Sequence, residues 1–141
     1  MATPHEDAGA DVLLDVVFED GLLYLVLANV GERPALKVTC RFERPFTGLG
    51  GSVDMSRLRL FRNVEFLAPG RKIRTLLDSS AAYFARREPT RLAVTVAWRD
   101  DRGRHERPIL HDLAIYRDVA YVTSAGSGST EQGDGSGRRR T

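Results

Sequence analysis

Through most of the chain hydrophobic and polar residues alternate with a period of two, the spacing that places successive side chains on opposite faces of a β-strand. Leu36, Val38, Cys40 and Phe42 alternate with Lys37, Thr39, Arg41 and Glu43. Leu92, Val94, Val96 and Trp98 alternate in the same way with Ala93, Thr95, Ala97 and Arg99. Each set predicts a strand with one face turned to a core. Residues 12–18, 22–30, 63–67, 73–77 and 108–116 read as further strands. They are bounded by turn chemistry at Asp20-Gly21, Gly31 to Pro34, Pro69-Gly70 and Asp100 to Gly103. The segment from Leu22 to Ala28 is apolar on both faces, which predicts a central or covered strand.

About seven short strands joined by such turns predict an all-β, immunoglobulin-like antiparallel sandwich of two sheets. Two stretches break the rhythm. Asp78 to Arg87 starts with residues suited to a helix N-cap and stops before Pro89, so a short helical crossover is expected near residues 79–87. Residues 44–60 contain the glycine-rich run Pro45-Phe46-Thr47-Gly48-Leu49-Gly50-Gly51-Ser52, longer than an ordinary hairpin connection. Here Asn29 and Gly31 are expected to supply left-handed backbone for the turn before Pro34.

Composition narrows the function classes. The 141 residues are 42% hydrophobic and 28% charged, a balance that supports one packed domain, expected over residues 11–122. Residues 1–10 read as a flexible N-terminus. Residues 123–141, rich in Gly and Ser and ending in Arg138-Arg139-Arg140-Thr141, read as a disordered tail. Apolar runs are too short for a membrane-spanning helix, and the first ten residues lack the pattern of a secretory signal, so a cytoplasmic location is expected. One cysteine excludes an internal disulfide. The formal net charge of +2 is too mild to imply nucleic acid by itself.

The run Leu25-Val26-Leu27-Ala28-Asn29-Val30-Gly31-Glu32-Arg33-Pro34-Ala35-Leu36-Lys37-Val38 resembles the strand-turn-strand of bacterial CARDB-like domains. Phe66-Leu67-Ala68-Pro69-Gly70-Arg71-Lys72-Ile73 is similar to the Leu-x-Pro-Gly turn before a later strand of those modules. The resemblance implies an immunoglobulin-like sandwich and does not carry a role or a location to this chain.

Candidate chemistry is sparse. His105, His111 and Asp112 come nearest to a metal or catalytic set, but neighbours in a strand face opposite ways, so His111 and Asp112 are not expected to share a site. Asp100, Asp101 and Glu106 could offer oxygens to calcium, yet Asp-Asp-Arg-Gly is ordinary turn chemistry. Ser79-Ser80 lacks the Gly-x-Ser-x-Gly setting of an activated serine, and Gly48, Gly50 and Gly51 lack the following Lys-Ser or Lys-Thr of a phosphate loop. Cys40 falls in an apolar set and is expected to be buried and inert. Arg57 and Arg59 are expected on one strand face within a cluster that also holds Arg62, Arg71 and Arg74.

No enzyme activity, metal or cofactor is therefore expected. The expected role is a non-enzymatic binding module for a protein partner, acting through the 44–60 loop or a sheet edge. Phe46, Leu49, Met55, Arg57, Arg59 and Phe61 form its candidate interaction surface. Small-ligand or carbohydrate recognition by the same loop is the alternative. Arginine-based attachment to nucleic acid is a weaker one, because no aromatics suited to base stacking are interleaved with the arginines.

Overall fold

A computed structural model describes residues 9–119. The expected tail at 123–141 with Arg138 to Arg140, and all but the last two residues of the expected flexible N-terminus, lie outside the described residues. Gly9 and Ala10 are tied down: the Gly9 carbonyl accepts from Glu32 N at 2.9 Å, and Ala10 N donates to Asp100 Oδ2 at 3.2 Å.

The chain forms an all-β antiparallel sandwich of two sheets. The first sheet holds β1 (Val12–Glu19), β2 (Leu22–Asn29) and β7 (Lys72–Ser79) in the order β1-β2-β7. The second holds β3 (Ala35–Phe42), β6 (Val64–Leu67), β8 (Arg91–Asp100) and β9 (Gly103–Asp112) in the order β6-β3-β8-β9. The remaining elements are a two-residue pair, β4 (Thr47–Gly48) with β5 (Val53–Asp54), two short α-helices, α1 (Arg59–Arg62) and α2 (Ser80–Ala85), and 3-10 turns at Leu49–Gly51, Met55–Arg57 and Leu113–Tyr116. All seven sandwich strands overlap the segments expected from the sequence, the last of them displaced toward the N-terminus, and α2 makes the expected crossover.

The inward faces of both sheets form one core. Leu14, Val16, Phe18, Leu23, Leu25 and Leu27 from the first sheet meet Val38, Leu92, Val94, Val96 and Trp98 from the second. Each fully buried side chain of this size contributes about 1.5–3 kcal/mol of hydrophobic stabilisation. The β1–β2 hairpin closes through Asp20 and Gly21 at φ of 52° and 79°, the mirror-image turn that matches strand twist.

Three local expectations are corrected. Leu36 does not point into the core with Val38: Lys37 adopts φ 51° in a β-bulge, which reverses the phase and leaves Leu36 exposed beside Phe66. The last strand runs over Gly103–Asp112 rather than 108–116: it pairs with β8 from Gly103 onward, directly after the turn, and it stops where the Asp112 carboxylate caps Ala114 N and turns the chain into a 3-10 helix at Leu113–Tyr116. Neither Asn29 nor Gly31 is in the left-handed region. Gly31 is required for space instead, since a Cβ there would lie 2.2 Å from the Gly9 carbonyl oxygen.

Candidate functional site

The 44–60 segment is a built lid. Phe46, Met55 and Phe61, each 1% exposed, are part of the core. Phe42 joins them through edge-to-face contacts with Phe46 at 4.9 Å and Phe61 at 5.1 Å. These three candidate surface residues are therefore corrected to core residues: their rings and thioether close one end of the sandwich. Leu49, Arg57 and Arg59 stay exposed. Arg57 and Arg59 do not share a strand face, because residues 55–57 form a 3-10 turn and Arg59 opens α1.

A charged cluster that sequence reasoning missed holds this lid down. Asp78, expected as part of the helix cap, is instead buried and pairs with Arg86 at 2.8 Å while accepting from Gly50 N at 3.0 Å. Ser79 is the actual cap, accepting from Ala82 N. Arg86 also reaches Glu88 and the Thr47 carbonyl, and Glu88 accepts from both the backbone N–H and the hydroxyl of Thr47. Burial alone would raise the Glu88 pKa, but the Thr47 hydrogen bonds and Arg86 outweigh it and hold the carboxyl below its ordinary value. The only hint in the sequence was the placing of Asp78, Arg86 and Glu88 around a helix that must bury one side.

His105 and His111 do structural work at the open side of the sandwich. His111 Nε2 donates to the Leu14 carbonyl at 2.7 Å, and Arg107 donates to the Val12 carbonyl at 3.4 Å. These side chains of β9 thus occupy outward carbonyls of the β1 edge. His105 lies 2.8 Å from Asp100, which also accepts from Ala10 N and Arg102 N. Burial would raise the Asp100 pKa, yet these bonds prevail and hold it below the ordinary range. Asp101 pairs with Arg33 and Glu106 with Arg104 on the surface. No group of three His, Cys, Asp or Glu residues able to hold a metal ion occurs among the described residues. Burial pushes the Cys40 thiol up to about 12, which leaves it uncharged and unreactive at neutral pH.

What remains open is the outward face of the four-stranded sheet. Ala93 and Thr95 form a low floor on β8. Pro108 and Leu110 of β9 stand on one side, Arg41 of β3 on the other, and Arg44 and Arg91 at the end, around a shallow depression of about 890 Å³. A second depression of about 570 Å³ adjoins it through Arg41 and Phe42 and is lined by Arg57 and Arg62. None of these five arginines has an ion pair or side-chain hydrogen bond among the described residues. Leu110 is 54% exposed beside them. Glu43 also lines the first depression, so three guanidinium groups face one carboxylate there, and the net positive rim suits binding of negative charge next to an apolar group.

No helix among the described residues is long and apolar enough to cross a membrane. Residues 5–117 match a family model described as a domain of unknown function, DUF8453. No curated protein and no solved structure matches the chain.

Proposed function

Because the chain belongs to the DUF8453 family, whose description assigns no activity, its role must be argued from its own surface, and we propose a non-enzymatic binding module for an acidic segment of a protein partner. The observation that carries this reading is the arginine-ringed depression of Arg41, Arg44 and Arg91 beside the exposed Leu110. Guanidinium groups that have no ion pair among the described residues favour carboxylates, and an apolar wall next to them favours a peptide over a bare polyanion. The 44–60 segment supplies Arg44 to the depression itself and Arg57 to its margin, while its buried apolar residues serve the core.

The immunoglobulin-like character and the likeness to CARDB-like modules belong to the same proposal. The two turns that carry the likeness meet at Asn29, whose carbonyl accepts from Gly70 N at 2.7 Å. A reducing, cytoplasmic setting is likewise part of it, in keeping with a single buried thiol.

The test is fluorescence anisotropy with two labelled probes, an acidic octapeptide of glutamates around a central leucine and an oligo-dT strand. The peptide is expected to bind, and Arg41→Glu with Arg91→Glu to abolish binding, while Arg104→Glu, outside the depression, leaves it intact. Equal peptide binding by the double variant would overturn the assignment. Tighter binding of oligo-dT, falling steeply with salt, would replace the protein partner with nucleic acid.

A further inference from the structure

The opposite face of the molecule, the outward side of the three-stranded sheet, carries apolar side chains on all three strands, with acids along β1 and bases along β7. Leu13 and Val17 on β1, Leu22 and Tyr24 on β2 and Leu76 on β7 keep partial solvent exposure, so this face lacks a complete cover among the described residues. Strand register places charge at its two margins. Asp15 pairs with Val26, and Val26 with Arg74, so a carboxylate on one edge strand and a guanidinium on the other share one row. The next row on this face is Val17, Tyr24 and Leu76. Asp15 is exposed and has no ion pair among the described residues, while Arg74 lies along the face, 3.7 Å over the Tyr24 ring, and reaches Glu19 at 3.0 Å.

We propose that this face binds a second copy of the chain about a two-fold axis parallel to β2. Such an axis lays β1 of one protomer over β7 of its partner, so that Asp15 faces Arg74 and Val17 faces Leu76, each twice. An axis perpendicular to the strands would instead lay β1 on β1 and β7 on β7. Centred on the charged row, it would set Asp15 against Asp15 and Arg74 against Arg74. Like charges across an interface repel, so the charge pattern selects the first arrangement. Three strands about 4.8 Å apart and eight residues long cover roughly 14 by 26 Å in plan. That is small against the ~800 Å² per partner of standard interfaces, so the dimer is weak and depends on concentration.

Sedimentation velocity on the full chain, across a dilution series into the micromolar range, tests this. The wild type is expected to dimerise as concentration rises. Asp15→Arg alone and Arg74→Glu alone should each weaken the dimer about tenfold, and the two together should restore it to within about threefold. Leu76→Glu should give a monomer with unchanged circular dichroism, which separates loss of the interface from loss of the fold. A wild type that stays monomeric throughout would overturn the proposal and leave the face to another protein or to the chain's own remaining residues. Dimerisation indifferent to both single reversals, or single losses that the double reversal does not rescue, would overturn it equally.

Discussion

Asn29 shows how much of this fold hangs on one side chain. It is fully buried, its Oδ1 accepts from Asp11 N and Gly31 N, and its Nδ2 donates to the carbonyls of Arg33 and Leu67. One amide thus ties the start of β1, the β2–β3 turn and the end of β6. Asn29→Leu keeps the volume and strands four backbone groups, each costing about 1–3 kcal/mol when left unsatisfied out of water. Relaxation and water entry reduce that sum, so a loss of about 3 kcal/mol is expected, read as a lower urea midpoint at unchanged slope. From the sequence Asn29 was recognisable as a turn residue through its Asn-x-Gly setting. Its function as a four-bond amide was not, because two of its partners, Asp11 and Leu67, come from separate strands.

Among the elements, the crossover and the lid stand or fall together. Asp78, Arg86 and Glu88 flank α2 and fasten Thr47 and Gly50 of the lid. Arg86→Met removes the cation from a nearly buried carboxylate, a change that costs about 3 kcal/mol or more where the remaining charge cannot reach water. The expected signature is local: amide exchange at Thr47 and Gly50 accelerates, while the β8–β9 ladder keeps its protection. Arg74→Met breaks an exposed pair with Glu19 and is expected to change stability by less than about 1 kcal/mol. Equal effects of the two variants would refute the claim that burial makes the Arg86 cluster matter. The lid was legible as an unusual segment, rich in glycine and apolar side chains, but whether those side chains faced in or out was not, since a loop has no period from which to read a face.

For the whole molecule, acid is the informative variable. Glu88 and Asp100 sit near opposite ends of β8, and both are held below their ordinary values of 4.5 and 3.8 in the fold. A depressed folded value means the unfolded chain binds the proton more tightly. The stabilisation from these groups is therefore complete above the ordinary carboxylate range and is lost as pH falls through the folded values. The melting temperature should hold from neutral pH down to about 5 and then drop. Glu88→Gln should lower stability at neutral pH and flatten the acid limb, because the variant has no proton to take up there. An unchanged acid limb in both Glu88→Gln and Asp100→Asn would show that other carboxylates dominate.

Seven strands, most of their turns, the crossover and the buried thiol were legible in the order of the residues. Hydrophobic alternation is a local property that survives wherever one face of a strand must leave water. It also marked β2 as apolar on both faces, which became the uncovered face proposed here as an interface. Tertiary structure alone decided what the side chains do. The bulge at Lys37 sent Leu36 outward, and packing turned Phe46, Met55 and Phe61 from candidate surface into core. The same packing gathered Arg41 and Arg91, distant in sequence, around one depression. These outcomes depend on which strands lie side by side and in what register, and that is settled by contacts between residues tens of positions apart, to which a period of two is blind.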